Sequence, residues 1–117
     1  AGGVTYYASY LKFAERARTE WLRHLIGREG PLWTKDDPVF VVRHLEADYI
    51  SAAKLDDFLT VTTKLIKMGG ASLLLQQDII RGEKVLVALK VTLVAVSHDG
   101  KVLRIPPVWR QKLGSLL

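Results

Sequence analysis

The residues best placed to do chemistry are Gly2-Gly3, a glycine pair that runs straight into a long helical stretch. Two glycines lift the Cβ restriction on φ and let another group approach the main chain closely. The first turn of a helix carries N–H groups without intrahelical partners, at the positive end of the macrodipole. Together these features suit the stabilisation of a negatively charged oxygen, although the same pair could be a plain turn ahead of a helix. Other groups are weaker candidates. Glu15 lies two turns into the helix with Arg18 three residues on, a spacing that favours a surface ion pair. His44, Glu46 and Asp48 alternate along one strand face, either as an acid–base cluster or as a solvated face. His24, His44 and His98 are far apart, and neither a cysteine nor a His-Glu-x-x-His run accompanies them, so no metal site is expected. Gly-x-Ser-x-Gly and Walker patterns are absent, which excludes the α/β-hydrolase and P-loop readings.

The elements that must position these residues follow from periodicity. From about Tyr7 to Ile26, Tyr10, Ala14, Ala17, Trp21 and Leu25 recur at helical spacing and mark one buried face. Gly27 and Gly30-Pro31 end the helix. After a connector at 32–38 the pattern changes to strands: Val39 to Ile50, Phe58 to Lys67, Ala71 to Ile80 and Val85 to Ser97, with a short strand at Val102 to Ile105. Turns are expected at 52–57, at Met68-Gly69-Gly70, at Arg81-Gly82-Glu83-Lys84 and at Asp99-Gly100. Pro106-Pro107 closes the sheet, and Val108 to Leu117 reads as a C-terminal helix. One long helix followed by an antiparallel meander is an α+β layout, with the helix covering one sheet face.

The chain has 117 residues, 49% apolar and 25% charged, which fits one domain over 1–117 with a real core. No apolar run is long enough to cross a membrane and no secretory signal precedes the helix. The lack of cysteine fits a cytoplasmic protein. A net charge of +5 favours polyanionic ligands: nucleic acid, an acidic protein or a phosphate-rich cofactor such as coenzyme A. The basic residues form no block and have no interleaved aromatics, which argues against nucleic acid.

The order of motifs resembles the hotdog-fold acyl-CoA thioesterases, specifically the Tol-Pal-associated, YbgC-like branch of the 4-hydroxybenzoyl-CoA thioesterase family. That family reads Asp-Ala-Gly-Gly-Val-Val-Tyr-His/Tyr-Ala-Asn/Ser-Tyr, and this chain matches from Ala1 onward, with Tyr7 at the position often held by histidine. The match continues through Glu15-Arg16-Ala17-Arg18-Thr19-Glu20, Phe40-Val41-Val42-Arg43, Leu55-Asp56-Asp57 and Ser72-Leu73, while Ser51-Ala52-Ala53-Lys54 departs from the family's Ala-Pro-Ala-Arg. The resemblance implies a hotdog fold, one long central helix wrapped by an antiparallel sheet, whose first strand lies upstream of Ala1 and ends in the catalytic aspartate. It implies hydrolysis of short-chain or aromatic acyl-CoA to free acid and CoA, without a metal or a cofactor beyond the coenzyme A of the substrate. The aspartate would attack the carbonyl or activate water, and the backbone N–H of Tyr7, kept open by Gly3, would hold the oxyanion. Tyr6, Tyr10 and Phe13 would line the acyl pocket, with core packing as the alternative. Ser72 would touch the thioester or the pantetheine arm, and Lys54, Lys67 and Arg81 are the candidates for the phosphates. Homodimers or homotetramers, with sites between protomers, are expected. A non-catalytic hotdog module that binds acyl carrier protein or acyl-CoA is the alternative.

Overall fold

A computed structural model describes residues 2–27, 37–51 and 58–117, with side chains in the first helix from Tyr10 onward. Helix α1 (Gly2–Ile26) leads into strands β1 (Val39–Tyr49), β2 (Thr60–Met68), β3 (Ser72–Arg81) and β4 (Lys84–Val96), and helix α2 (Pro107–Gly114) follows.

The buried line along α1 is Tyr10, Ala14, Arg18, Leu22 and Ile26, each four residues from the last. Ala17, Trp21 and Leu25, predicted as the centre of the apolar face, are half-buried on its flank. An arginine therefore occupies a position that hydrophobic patterning would give to an apolar residue. The helix also starts at Gly2, ahead of the predicted Tyr7. The difference has a simple cause: periodicity registers only side chains that pack, whereas the backbone ladder continues through residues that do not, at a cost of roughly 1 kcal/mol for a helical glycine.

The C-terminal end of α1 behaves as expected. Gly27 takes φ +76°, its N–H donates to the Arg23 carbonyl at 3.1 Å, and Lys112 Nζ on α2 donates to the Ile26 carbonyl at 2.7 Å. A Cβ on Gly27 would stand 3.0 Å from that Nζ. Gly27→Ala should therefore cost about 1–2 kcal/mol, through left-handed strain and displacement of the lysine cap, read as a lowered urea midpoint at unchanged slope.

The sheet order is β1-β4-β3-β2, antiparallel throughout. Strands β2, β3 and β4 form the predicted meander, but β1 does not lie beside β2; it pairs with the far edge of β4. Central strands β3 and β4 carry most of the core, with Leu73, Leu75 and Ile79 facing α1 together with Val87, Leu89, Val91 and Leu93. Along β2 the expected alternation holds, with Thr60, Thr62 and Lys64 exposed and Leu65 buried, until a bulge between Leu65 and Lys67 restores Met68 to the core side. Gly82, at φ +61°, makes the two-residue turn between paired Arg81 and Lys84.

Val102 to Ile105 is not a strand. Val102 makes a single bridge to Val96, the Leu103 N–H donates to Ala95, and the Ile105 N–H donates to Gly70. Pro106-Pro107 supply no N–H to continue a ladder, and the segment instead delivers Ile105, Trp109 and Leu113 into the core. Trp109 lies 6.1 Å from the Phe40 ring. Arg110 fastens α2 to the β2–β3 turn through Nη2, donating to the carbonyls of Gly69 (2.6 Å) and Gly70 (3.0 Å).

Candidate active site

Gly3 and Tyr7 both lie on α1. With the helix beginning at Gly2, the amides of its first turn, Gly2, Gly3 and Val4, are those without intrahelical acceptors, and Tyr7 stands in the second turn. The expected placement of Tyr7 at the helix start is thus moved inward, for the reason given above. The side chains of Tyr6 and Tyr7 lie outside the described residues, as does Lys54.

Tyr10 is 2% exposed and packs against Tyr49, ring centroids 6.4 Å apart, so it ties the N-terminal half of α1 to the end of β1. Phe13 is half-buried and borders an open hollow of about 310 Å³ with Ala17, Phe58, Leu59 and Val61. Ser72 opens β3 beside the Gly69-Gly70 turn, which Arg110 holds, while Lys112 on the same short helix holds the last carbonyl of α1. Ser72 therefore stands at the C-terminal end of α1. Nineteen residues separate Tyr7 from Ile26, roughly 28 Å of helix. Within one chain the serine does not meet the N-terminal half of the helix.

Lys67 is exposed and pairs across from Leu74, whereas Arg81 ends β3 seven residues further on, about 23 Å away at strand rise. Those two cations do not converge on one phosphate within a chain. His44, Glu46 and Asp48 fall on the sheet face away from α1, registered against Thr92, Lys90 and Ala88. His44 Nε2 and Glu46 Oε1 are 3.1 Å apart, with both side chains more than 60% exposed. A pair so solvated contributes little, and E46Q should leave stability within about 0.5 kcal/mol and turnover unchanged in a denaturation and thiol-release comparison.

A buried polar cluster that local periodicity does not mark lies between α1 and the sheet. Gln77, fully buried on β3, accepts from Arg18 Nη1 through Oε1 at 3.0 Å, and its Nε2 donates to the Ala14 carbonyl (3.1 Å) and to Thr63 Oγ1 (3.1 Å). Burial pushes the Arg18 guanidinium below its ordinary range, and the Glu15 carboxylate pulls it back up. The available signal was the Gln-Gln pair at 76–77 in an otherwise alternating strand, opposite a helix with one arginine on its apolar line.

Among the described residues no group of three or more His, Cys, Asp or Glu side chains could hold a metal, and no helix is long and apolar enough to cross a membrane. A long helix laid across an antiparallel sheet, with a glycine pair in its first turn, is the arrangement that the resemblance implied. The thioesterase superfamily model matches residues 2–88.

This chain belongs to the thioesterase superfamily. Over 96 residues it is 44% identical to the acyl-CoA thioesterase YbgC of Haemophilus influenzae, covering 82% of this chain and 71% of that protein. The acyl-CoA thioester hydrolase YbgC of Escherichia coli is 44% identical over 87 residues, 74% of this chain, and the match spans 64% of its length, just under two thirds. A probable thioesterase from Bartonella henselae superposes with a TM-score of 0.78 at 36% identity, covering 86% of this chain and 83% of its own. The hotdog fold of this thioesterase superfamily member follows from these matches together with the open four-stranded sheet under α1.

Proposed function

We propose that this thioesterase superfamily chain, a single hotdog unit over 1–117, hydrolyses acyl-CoA thioesters to free acid and CoA. The observation that carries the reading is the glycine pair in the first turn of a helix that lies over an antiparallel sheet, in a chain 44% identical to enzymes named for that activity. Hydrolysis adds water across the C–S bond: hydroxide goes to the acyl carbon, and the thiolate leaves and takes a proton. A carboxylate starts the reaction, either by attacking the carbonyl or by taking a proton from water. Among the described carboxylates, Glu46 and Asp48 lie on the sheet face away from α1, and Glu15 is exposed on the helix. The reading assigns the role to the aspartate that the resemblance places immediately before Ala1.

Backbone amides at the N-terminal end of α1 hold the oxyanion. Tyr7's amide becomes a donor when the preceding turn is released, and Gly2-Gly3 give up helical geometry more readily than any other residues would. The first-turn amides supply donors in the geometry as it stands. Because Ser72 and Lys67 lie together at one end of the β2–β3 hairpin, far from Arg81 and from the N-terminal half of α1, their proposed roles toward the pantetheine arm and the phosphates at that helix start call for a second protomer, which fits a homodimer or homotetramer. No cofactor beyond the coenzyme A of the substrate is invoked, the chemistry is cytoplasmic, and short-chain or aromatic acyl groups are the proposed substrates. Acyl carrier protein is a proposed alternative carrier, its acidic surface suited to a net charge of +5.

The test is thiol release from a panel of acyl-CoA esters by the full-length protein and by a variant with asparagine at that aspartate. Turnover lost in the variant supports the reading. Tight binding of acyl-CoA or acyl carrier protein without turnover by either form replaces it with a carrier-binding module.

A further inference from the structure

The packing of α1 on the sheet is mostly apolar. Tyr10, Ala14, Leu22 and Ile26 rest on leucines and valines, and such contacts resist separation far more than sliding along the helix axis. Side-chain hydrogen bonds between α1 and the sheet meet at Gln77. Its amide grips one turn of the helix at two points: Nε2 donates to the carbonyl of Ala14, and Oε1 accepts from the side chain of Arg18. Ala14 and Arg18 are four apart, so the carbonyl that Gln77 grips is the one that accepts the Arg18 backbone N–H within the helix. Thr63 Oγ1 takes the second Nε2 hydrogen and thereby sets which way the amide faces. Among the described residues no buried side-chain nitrogen or oxygen is left without a partner.

We infer that the Gln77–Arg18 pair is an axial register clamp, a positioning device that fixes where the N-terminal amides of α1 stand relative to the sheet. This rests on the thioesterase reading. A shift by one residue moves the helix 1.5 Å along its axis, which stretches bonds lying across that axis to about 3.4 Å, beyond the ordinary N–H···O range. A misplacement near 1 Å at the oxyanion donors costs on the order of 100-fold in rate. Two hydrogen bonds seven or more residues from the chemistry thus govern kcat through distance, and leave substrate affinity, set elsewhere, nearly alone.

The test uses the double variant Arg18→Met/Gln77→Met, which keeps the volume and removes both grips. Two readouts are taken in the full-length protein. Glu20→Cys on α1 and Lys84→Cys at the start of β4, with any cysteine outside residues 1–117 replaced by serine, accept a spin-label pair offset along the helix axis. The expected result is a label distance shifted, or broadened, by 1.5 Å or more in the double variant, with kcat down at least tenfold and KM within twofold. An unchanged, narrow distance overturns the clamp. A shifted distance with unchanged kcat overturns its catalytic consequence. A shifted distance in a protein that turns over no acyl-CoA in any form keeps the clamp and refutes the thioesterase reading.

Discussion

Gln77→Met is expected to lower folding stability by about 1–3 kcal/mol, the cost of stranding buried hydrogen-bonding groups. The magnitude follows from what is left behind. Methionine fills much of the glutamine's volume, so the cavity term is small. Arg18, 6% exposed, then loses the Oε1 acceptor that its Nη1 now uses, while the Ala14 carbonyl and Thr63 each lose a donor. Stranding buried donors and acceptors in this way is a recurrent cause of large destabilisation by a point mutation. In Arg18→Met/Gln77→Met the charge and its acceptor leave together, and stability should return to within about 1 kcal/mol of the parent protein. Urea unfolding of the parent, both single variants and the double variant gives the coupling directly. A Gln77→Met midpoint equal to the parent's would show that water solvates Arg18 and that the pair has little grip.

The second large effect is kinetic. Gly3→Pro should reduce kcat by about 10²–10³-fold, the range for losing one oxyanion donor, with KM little changed. Proline is tolerated in the first turn of a helix, so the fold should survive. It removes the Gly3 N–H and places a ring where the glycine pair keeps the main chain open. Tyr7→Phe, which leaves every backbone amide in place, should stay within about threefold of the parent. Thiol-release kinetics on the two variants decide the matter, and full activity in Gly3→Pro would remove the helix start from the mechanism.

Much of this architecture could be read from the sequence, and the reasons are specific. The strands were legible because β2 is solvated on one face and buried on the other, so that Thr60, Thr62 and Lys64 alternate with Val61 and Leu65. The turns were legible because Gly27 and Gly82 take positive φ, which glycine provides. The position of β1 beside β4 was not legible: local pattern defines a strand's faces but says nothing of which edge it joins. Val102 to Ile105 has the composition of a strand, and only the two prolines after it tell against one.

The candidate site was legible in part. Residue type alone left the glycine pair open between a plain turn and an anion-holding helix start, and the resemblance favoured the second. Tyr10, readable as a pocket residue or as core packing, is buried, and an aromatic on an apolar helix face reads the same in either role. Arg18, three residues from Glu15, reads as part of the solvated face, since a charged residue is almost always exposed unless paired. Its partner, Gln77, lies 59 residues away, a distance that no periodicity spans.

The most direct test of the central claim is hydrolysis itself, followed with the full-length protein and an acyl-CoA ester in water enriched in ¹⁸O. The account predicts free CoA thiol and carboxylic acid in equal amounts, the acid carrying ¹⁸O from solvent. Acyl-CoA recovered intact after saturable binding would contradict it and make this hotdog unit a carrier of thioesters.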